Sequence, residues 1–150
     1  MDYSFTPEQL TFKQEIHDFI MKELPPELLS GESEDFELSM EFRRKLGEKK
    51  WIGIGWPKEY GGLGASPIMQ MLFHEEMVYN NGPLDPQAYQ VGPALIHHAS
   101  EDLRKTYLGA TARQEVVWCQ GFSEPNSGSD LASLQTTAVQ DGDEFVINGQ

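Results

Sequence analysis

The hydrophobic period changes at Val116, and that change governs what the chain can fold into. Ahead of it, apolar residues recur at helical spacing and the segments are separated by proline and glycine. Behind it, Val116, Val117, Trp118 and Phe122 favour extended backbone. A chain ordered in this way has to complete a set of helices before it begins a sheet. We therefore expect a mainly α fold, with an N-terminal helical domain over residues 1–115 and the start of a β domain over residues 116–150.

The helices announce their own ends. Thr6-Pro7-Glu8-Gln9 combines an N-cap, a proline at the first helical position and a glutamine at the third, so a helix should begin at about residue 7. Leu10, Ile16, Phe19, Ile20 and Leu24 give it one apolar face, and Pro25-Pro26 ends it. A second helix carrying Phe36, Met40, Phe42 and Leu46 should run to about Lys50. The stretch from Trp51 to Gly64 is too interrupted for either regular element. Ser66-Pro67 restarts a helix through Met69, Leu72, Phe73 and Val78, which must stop at Asn80-Asn81-Gly82-Pro83. Two shorter helices follow, one over about Gln87 to His98 and one opening at Ser100 with Glu101 and Asp102 well placed for the helix dipole. Near the end, Asp141-Gly142 between Thr136 to Gln140 and Asp143 to Ile147 signals a hairpin.

Charge narrows the function classes. A net charge of −13 argues against nucleic acid or an anionic membrane as partner, because both require concentrated Lys and Arg. The densest acidic patch, Glu32, Glu34, Asp35, Glu37 and Glu41, reads as a solvated loop and helix start. A single cysteine, Cys119, leaves no internal disulfide and fits a reducing compartment. The N-terminus has neither signal-peptide nor transit-peptide character, and no apolar run reaches membrane-spanning length, so we expect a cytoplasmic protein.

Chemistry concentrates after the period change. Pro125 removes a donor and biases Glu124 away from helix, and Asn126, Ser127, Gly128 and Ser129 accept turn geometry at little cost. Gly128 allows close approach to the backbone, and successive N–H groups there can form a nest for an anion. The same residue types also suit a plain strand-ending turn. Their order says more. Gln120-Gly121-Phe122-Ser123-Glu124-Pro125-Asn126-Ser127-Gly128-Ser129-Asp130 resembles the T/S-E-P-x-x-G-S-D signature of the acyl-CoA dehydrogenase family. Thr137-Ala138 with Asp141 to Gln150 resembles that family's T-x-A stretch and its closing N-G, and Trp56-Pro57-Lys58-Glu59-Tyr60-Gly61-Gly62-Leu63-Gly64 resembles its W-P-x-E-Y-G-G-x-G loop. Three motifs in family order cover essentially the whole chain.

The resemblance implies a helical bundle of the acyl-CoA dehydrogenase type followed by the first strands of a β-barrel-like domain, cut within that domain, since Gln150 falls inside the family pattern. It implies FAD as cofactor, with Gln120, Gly121, Phe122 and Ser123 along the isoalloxazine ring. Gly128 and Ser129 would meet the cofactor phosphates or the acyl-CoA, and Ser129 is the preferred substrate contact. It implies oxidation of an acyl-CoA to its 2,3-enoyl product, with the α-proton base, a carboxylate, in a C-terminal helical domain that these residues do not include. The fragment alone should then be inactive. An electron-transfer flavoprotein or similar acceptor and a homo- or heterotetramer are the implied partners. The alternatives are an acyl-CoA oxidase, a flavin monooxygenase of the same fold, and a non-catalytic subunit of a heteromeric dehydrogenase. Many relatives place an aromatic residue at the position of Gln120, Thr at that of Ser123, and a Gly-Ala pair at Asn126-Ser127. Ser123 keeps the hydroxyl, whereas Asn126-Ser127 could alter the rigidity of the loop.

Other features carry less. Glu124 and Asp130 form a candidate acid-base pair, but a structural acceptor and a turn residue are the preferred readings. His74-Glu75-Glu76-Met77-Val78 lacks the second histidine of a zinc-protease helix, and His97-His98 diverge on a helix. Gly53-Ile54-Gly55 and Gly61-Gly62-Leu63-Gly64 fit neither phosphate-binding fingerprint and are expected to serve close backbone packing. Met69, Met71 and Met77 read as core, and Tyr79 and Tyr89 are candidate walls of an acyl pocket.

Overall fold

A computed structural model describes residues 4–150. Its contacts divide the chain into two units, one ending at Trp118 and one comprising Cys119–Gln150. The first holds six helices: α1 (Pro7–Glu23), α2 (Pro26–Leu29), α3 (Phe36–Glu48), α4 (Pro67–Tyr79), α5 (Pro86–His98) and α6 (Glu101–Ala112). The second holds one antiparallel hairpin, β1 (Thr137–Asp141) and β2 (Glu144–Asn148).

Local chemistry sets the helix starts. Thr6 and Gln9 form a reciprocal capping box at α1. Asp35 caps α3 by accepting the Leu38 N–H at 2.9 Å, Ser66 caps α4, and Ser100 caps α6. Pro25-Pro26 ends α1 as expected, yet the second proline also opens the single turn of α2.

Packing settles what the pattern left open. On α1 the expected face is buried at Ile16, Ile20 and Leu24, with Phe19 packed against the core, but at its first turns Phe12 is buried and Leu10 remains exposed. Val78 is likewise exposed on α4, which is apolar nearly all round and therefore offers more than one face for burial. The irregular stretch after α3 turns out to be core: Trp51, Ile52, Ile54 and Trp56 are all buried. Trp51 is its hub, meeting Phe12 edge-on at 6.0 Å, Phe19 at 5.1 Å and Phe73 at 5.8 Å between ring centroids. A buried loop has to satisfy its own backbone. It does so through Trp56 N–H to Gly53 O at 2.8 Å, Gly64 N–H to Trp56 O at 2.8 Å and Ala65 N–H to Ile54 O at 3.0 Å. A β-carbon at Gly62 would collide with the carbonyls of Gly53 and Trp56, which accounts for glycine there.

Two polar ties, each with a buried carboxylate, fix the helices laterally. The Glu76 carboxylate on α4 lies 3.4 Å from Lys13 Nζ and 3.3 Å from His17 Nδ1 of α1, and Asn80 Nδ2 donates to the Glu76 carbonyl at 2.8 Å. Asp85 caps α5 through Oδ1 and accepts from the buried Gln114 Nε2 through Oδ2 at 2.8 Å, joining the start of α5 to the end of α6. Gln114 sits at a φ of +57°, the left-handed residue that closes α6.

The extended run from Val116 to Phe122 forms no ladder, because β-propensity becomes a strand only when another strand pairs with it. The hairpin forms one residue later than its sequence signal. Asp141 pairs with Glu144, so the turn is Gly142-Asp143, with Gly142 at a φ of +61°.

Candidate functional site

The signature loop closes on itself. Glu124 N–H donates to Ser127 O at 2.8 Å and Ser127 N–H returns to Glu124 O at 3.1 Å, leaving Pro125-Asn126 at the tip of a four-residue turn. Ser127 is buried, and its hydroxyl donates to Asp130 O at 3.0 Å, which ties Asn126-Ser127 into the turn. The same carbonyl accepts the Ser133 hydroxyl at 2.9 Å as a short 3₁₀ turn, Leu131–Ser133, begins.

Both oxygens of the Glu124 carboxylate accept backbone bonds. Its Oε1 accepts the Thr136 N–H at 2.7 Å and its Oε2 accepts the Gln135 N–H at 2.8 Å, short charge-assisted bonds to the segment that leads into β1. Hydrogen bonding from the Thr136 side chain, followed by the two backbone donors, holds this carboxyl below the usual carboxylate range. The carboxylate is thus an acceptor and not an acid awaiting a substrate, and Asp130 works through its backbone carbonyl in the turn.

These bonds frame a cleft within the second unit. A cavity of about 680 Å³ is lined on one side by Gln120, Gly121, Phe122, Ser123 and Glu124, and on the other by Leu134, Thr136, Ile147, Gly149 and Gln150. The four consecutive candidate residues, Gln120 to Ser123, therefore share one wall. Phe122 is 74% exposed, an aromatic ring presented to whatever occupies the cleft. A β-carbon at Gly121 would meet no atom within 4 Å, so the backbone there is open to a ligand. Gly128 stands beside Ser123, where a β-carbon would lie 3.4 Å from the Ser123 hydroxyl. Ser129 is exposed and does not line the cavity. The loop thus brings five of the six candidate residues together and leaves Ser129 outside.

A planar, polar-edged heterocycle such as an isoalloxazine fits this cleft. It requires an apolar surface for its rings, backbone donors and acceptors along its edge and room at the backbone, which Phe122, Gln120 to Ser123 and Gly121 respectively provide. The residues of the opposite wall, Leu134, Thr136 and Ile147, escaped the sequence reading because they reach the loop only through non-local bonds, Gln135 and Thr136 N–H to the Glu124 carboxylate and the pairing of the hairpin that carries Ile147.

In the helical unit, His74 of α4 packs against Tyr89 of α5 with ring planes tilted by 51° and centroids 4.6 Å apart. Burial lowers the affinity of His74 for a proton, and burial together with the nearby Asp85 raises the pKa of Tyr89, so both are neutral at physiological pH. Tyr79, the other candidate pocket tyrosine, is exposed. Met77 is fully buried, Met69 packs against the core and Met71 is exposed. A recess of about 760 Å³ lined by Arg44, Lys50, Arg113 and neighbouring residues contains none of the signature loop. No helix among the described residues is long and apolar enough to cross a membrane.

Residues 6–115 match the model of the acyl-CoA dehydrogenase N-terminal domain. Acyl-CoA dehydrogenase FadE29 of Mycobacterium tuberculosis is 40% identical over 154 residues, covering 100% of this chain and 40% of that protein. Among solved structures, the ChsE4-ChsE5 complex from Mycobacterium tuberculosis superimposes with a TM-score of 0.89 at 33% identity, over 99% of this chain and 39% of that one. An acyl-CoA dehydrogenase complexed with FAD from Bacillus anthracis gives 0.76 at 28% identity, over 97% of this chain and 26% of that one. The chain spans about two fifths of the length of the curated relatives it matches. With its helical unit matched by the family model and its whole length aligned to a curated relative, this chain belongs to the acyl-CoA dehydrogenase family.

Proposed function

We propose that the chain is the N-terminal part of an FAD-dependent acyl-CoA dehydrogenase, oxidising an acyl-CoA thioester to its 2,3-enoyl form. The observation that carries this reading is the cleft that gathers Gln120, Gly121, Phe122 and Ser123 with Gly128 beside Ser123. When bound, FAD supplies the acceptor for the hydride leaving the β carbon. The chain's own residues bind and orient. Phe122 would supply an apolar surface for the ring, the loop backbone and the Ser123 hydroxyl would offer hydrogen bonds to its polar edge, and the Gly121 backbone would permit close approach. Ser129, exposed and outside the cavity lining, is assigned to the acyl-CoA or a cofactor phosphate. None of these residues is assigned as the base for the α proton, so the 150 residues by themselves are not expected to turn over.

The test is the visible absorbance of the purified chain with FAD, beside the full product of its reading frame. We expect the longer product to retain flavin and to be bleached by an acyl-CoA. A colourless longer product that ignores acyl-CoA overturns the reading. A heteromeric assembly is the second reading, favoured by the 0.89 match to a structure described as a two-protein complex. It predicts a native mass that includes a second polypeptide, with an electron-transfer flavoprotein or a similar acceptor taking the electrons.

A further inference from the structure

The cleft has two walls that are distant in sequence, the loop at Gln120 to Ser123 and the hairpin side carrying Thr136 and Ile147. The residue next to the ligand-facing serine spans them. Glu124 is bonded through its backbone to Ser127, which fixes the turn, and through both carboxylate oxygens to the N–H groups of Gln135 and Thr136, which fixes the opposite wall. Two short charge-assisted bonds from one planar carboxylate constrain both distance and orientation. The wall they hold has little slack, since a β-carbon at Gly149 would collide with the Thr136 side chain.

We propose that Glu124 is the positioning residue of the flavin cleft, its carboxylate setting the separation of the two walls and thereby the placement of Ser123 against the isoalloxazine edge. The assignment rests on the flavin reading above. Glu124 is assigned no proton transfer; its two oxygens hold the Gln135 and Thr136 N–H groups. Its effect passes through Ser123 and the cleft width. The ionised form is the one that serves, because protonation would set a donor against a backbone N–H.

The test compares Glu124→Gln with Ser133→Ala in the full product of the reading frame loaded with FAD. Ser133→Ala removes a hydrogen bond of the same turn, from the Ser133 hydroxyl to Asp130 O, without touching the tie between the walls. Flavin dissociation constant, the vibronic shape of the visible band and the two-electron potential are read alongside far-UV circular dichroism. Glu124→Gln should weaken FAD retention about tenfold, the scale of one charge-assisted bond lost, with a visible band closer to that of free FAD and an unchanged circular dichroism spectrum. Ser133→Ala should match the wild type. Wild-type retention of FAD with Glu124→Gln identical in affinity, band shape and potential overturns the assignment and leaves the flavin reading intact. Equal losses in the two variants reduce Glu124 to turn packing and overturn it as well. A wild type that retains no FAD removes both.

Discussion

The indole of Trp56 occupies the space that a β-carbon at Gly92 would need. This contact seats α5 on the buried loop. Two effects oppose each other in Gly92→Ala. Alanine gains about 1 kcal/mol in helix propensity, whereas overpacking a filled site costs about 1–3 kcal/mol and forces movement of a buried tryptophan. Sterics should win, because Trp56 is itself held by backbone bonds from both neighbouring turns. We expect Gly92→Ala to melt several degrees below the wild type, and a rise in Tm would disprove the contact.

Thr111 is fully buried, and its hydroxyl both donates to Tyr107 O at 2.8 Å and accepts from Trp118 Nε1 at 2.9 Å. Thr111→Val keeps the shape and strands the indole N–H. The indole is half-buried, so the expected cost is about 1 kcal/mol, the net worth of one hydrogen bond. A urea midpoint equal to that of the wild type would show that the bond contributes nothing.

Lys50 closes α3 in the left-handed region at a φ of +61°, with Lys50 N–H to Gly47 O at 2.9 Å and Trp51 N–H to Leu46 O at 2.9 Å. A lysine there carries conformational strain that glycine avoids, and glycine returns part of that gain through its more flexible unfolded state. Lys50→Gly should be net stabilising by about 0.5–1 kcal/mol, measured by denaturant titration. Destabilisation would mean that the lysine side chain matters more than its backbone.

The clasp at Glu124 has a direction in pH. Its carboxyl is held below the ordinary value in the folded state, so its stabilisation is complete above the unfolded carboxylate range and is lost as pH falls through the lowered folded value. Flavin retention should be flat from neutral pH down to about pH 5 and fall only below the ordinary carboxylate range. A loss centred near pH 6–7, where histidines titrate, would point to a different group.

Every helix start except that of the single-turn α2, the order of helices before strands, and the identity of the signature loop were legible in the amino-acid sequence. A cap such as Thr6 with Gln9 or Ser100 with Leu103 is satisfied within three residues, so its outcome is written beside its cause. Tertiary structure decided which faces are buried and which walls meet. Leu10 and Phe12 are both apolar, and only the packing of α1 against the rest of the helical unit turns Phe12 inward. Trp51 to Trp56 have no period to reveal them as core, since a loop that bonds its own backbone can be buried without one. The bonds from Gln135 and Thr136 to Glu124 span eleven and twelve residues, and hairpin geometry brings Ile147 opposite the same loop. No local pattern encodes such distances. They exist only once the chain has paid the entropy of closing the intervening loop.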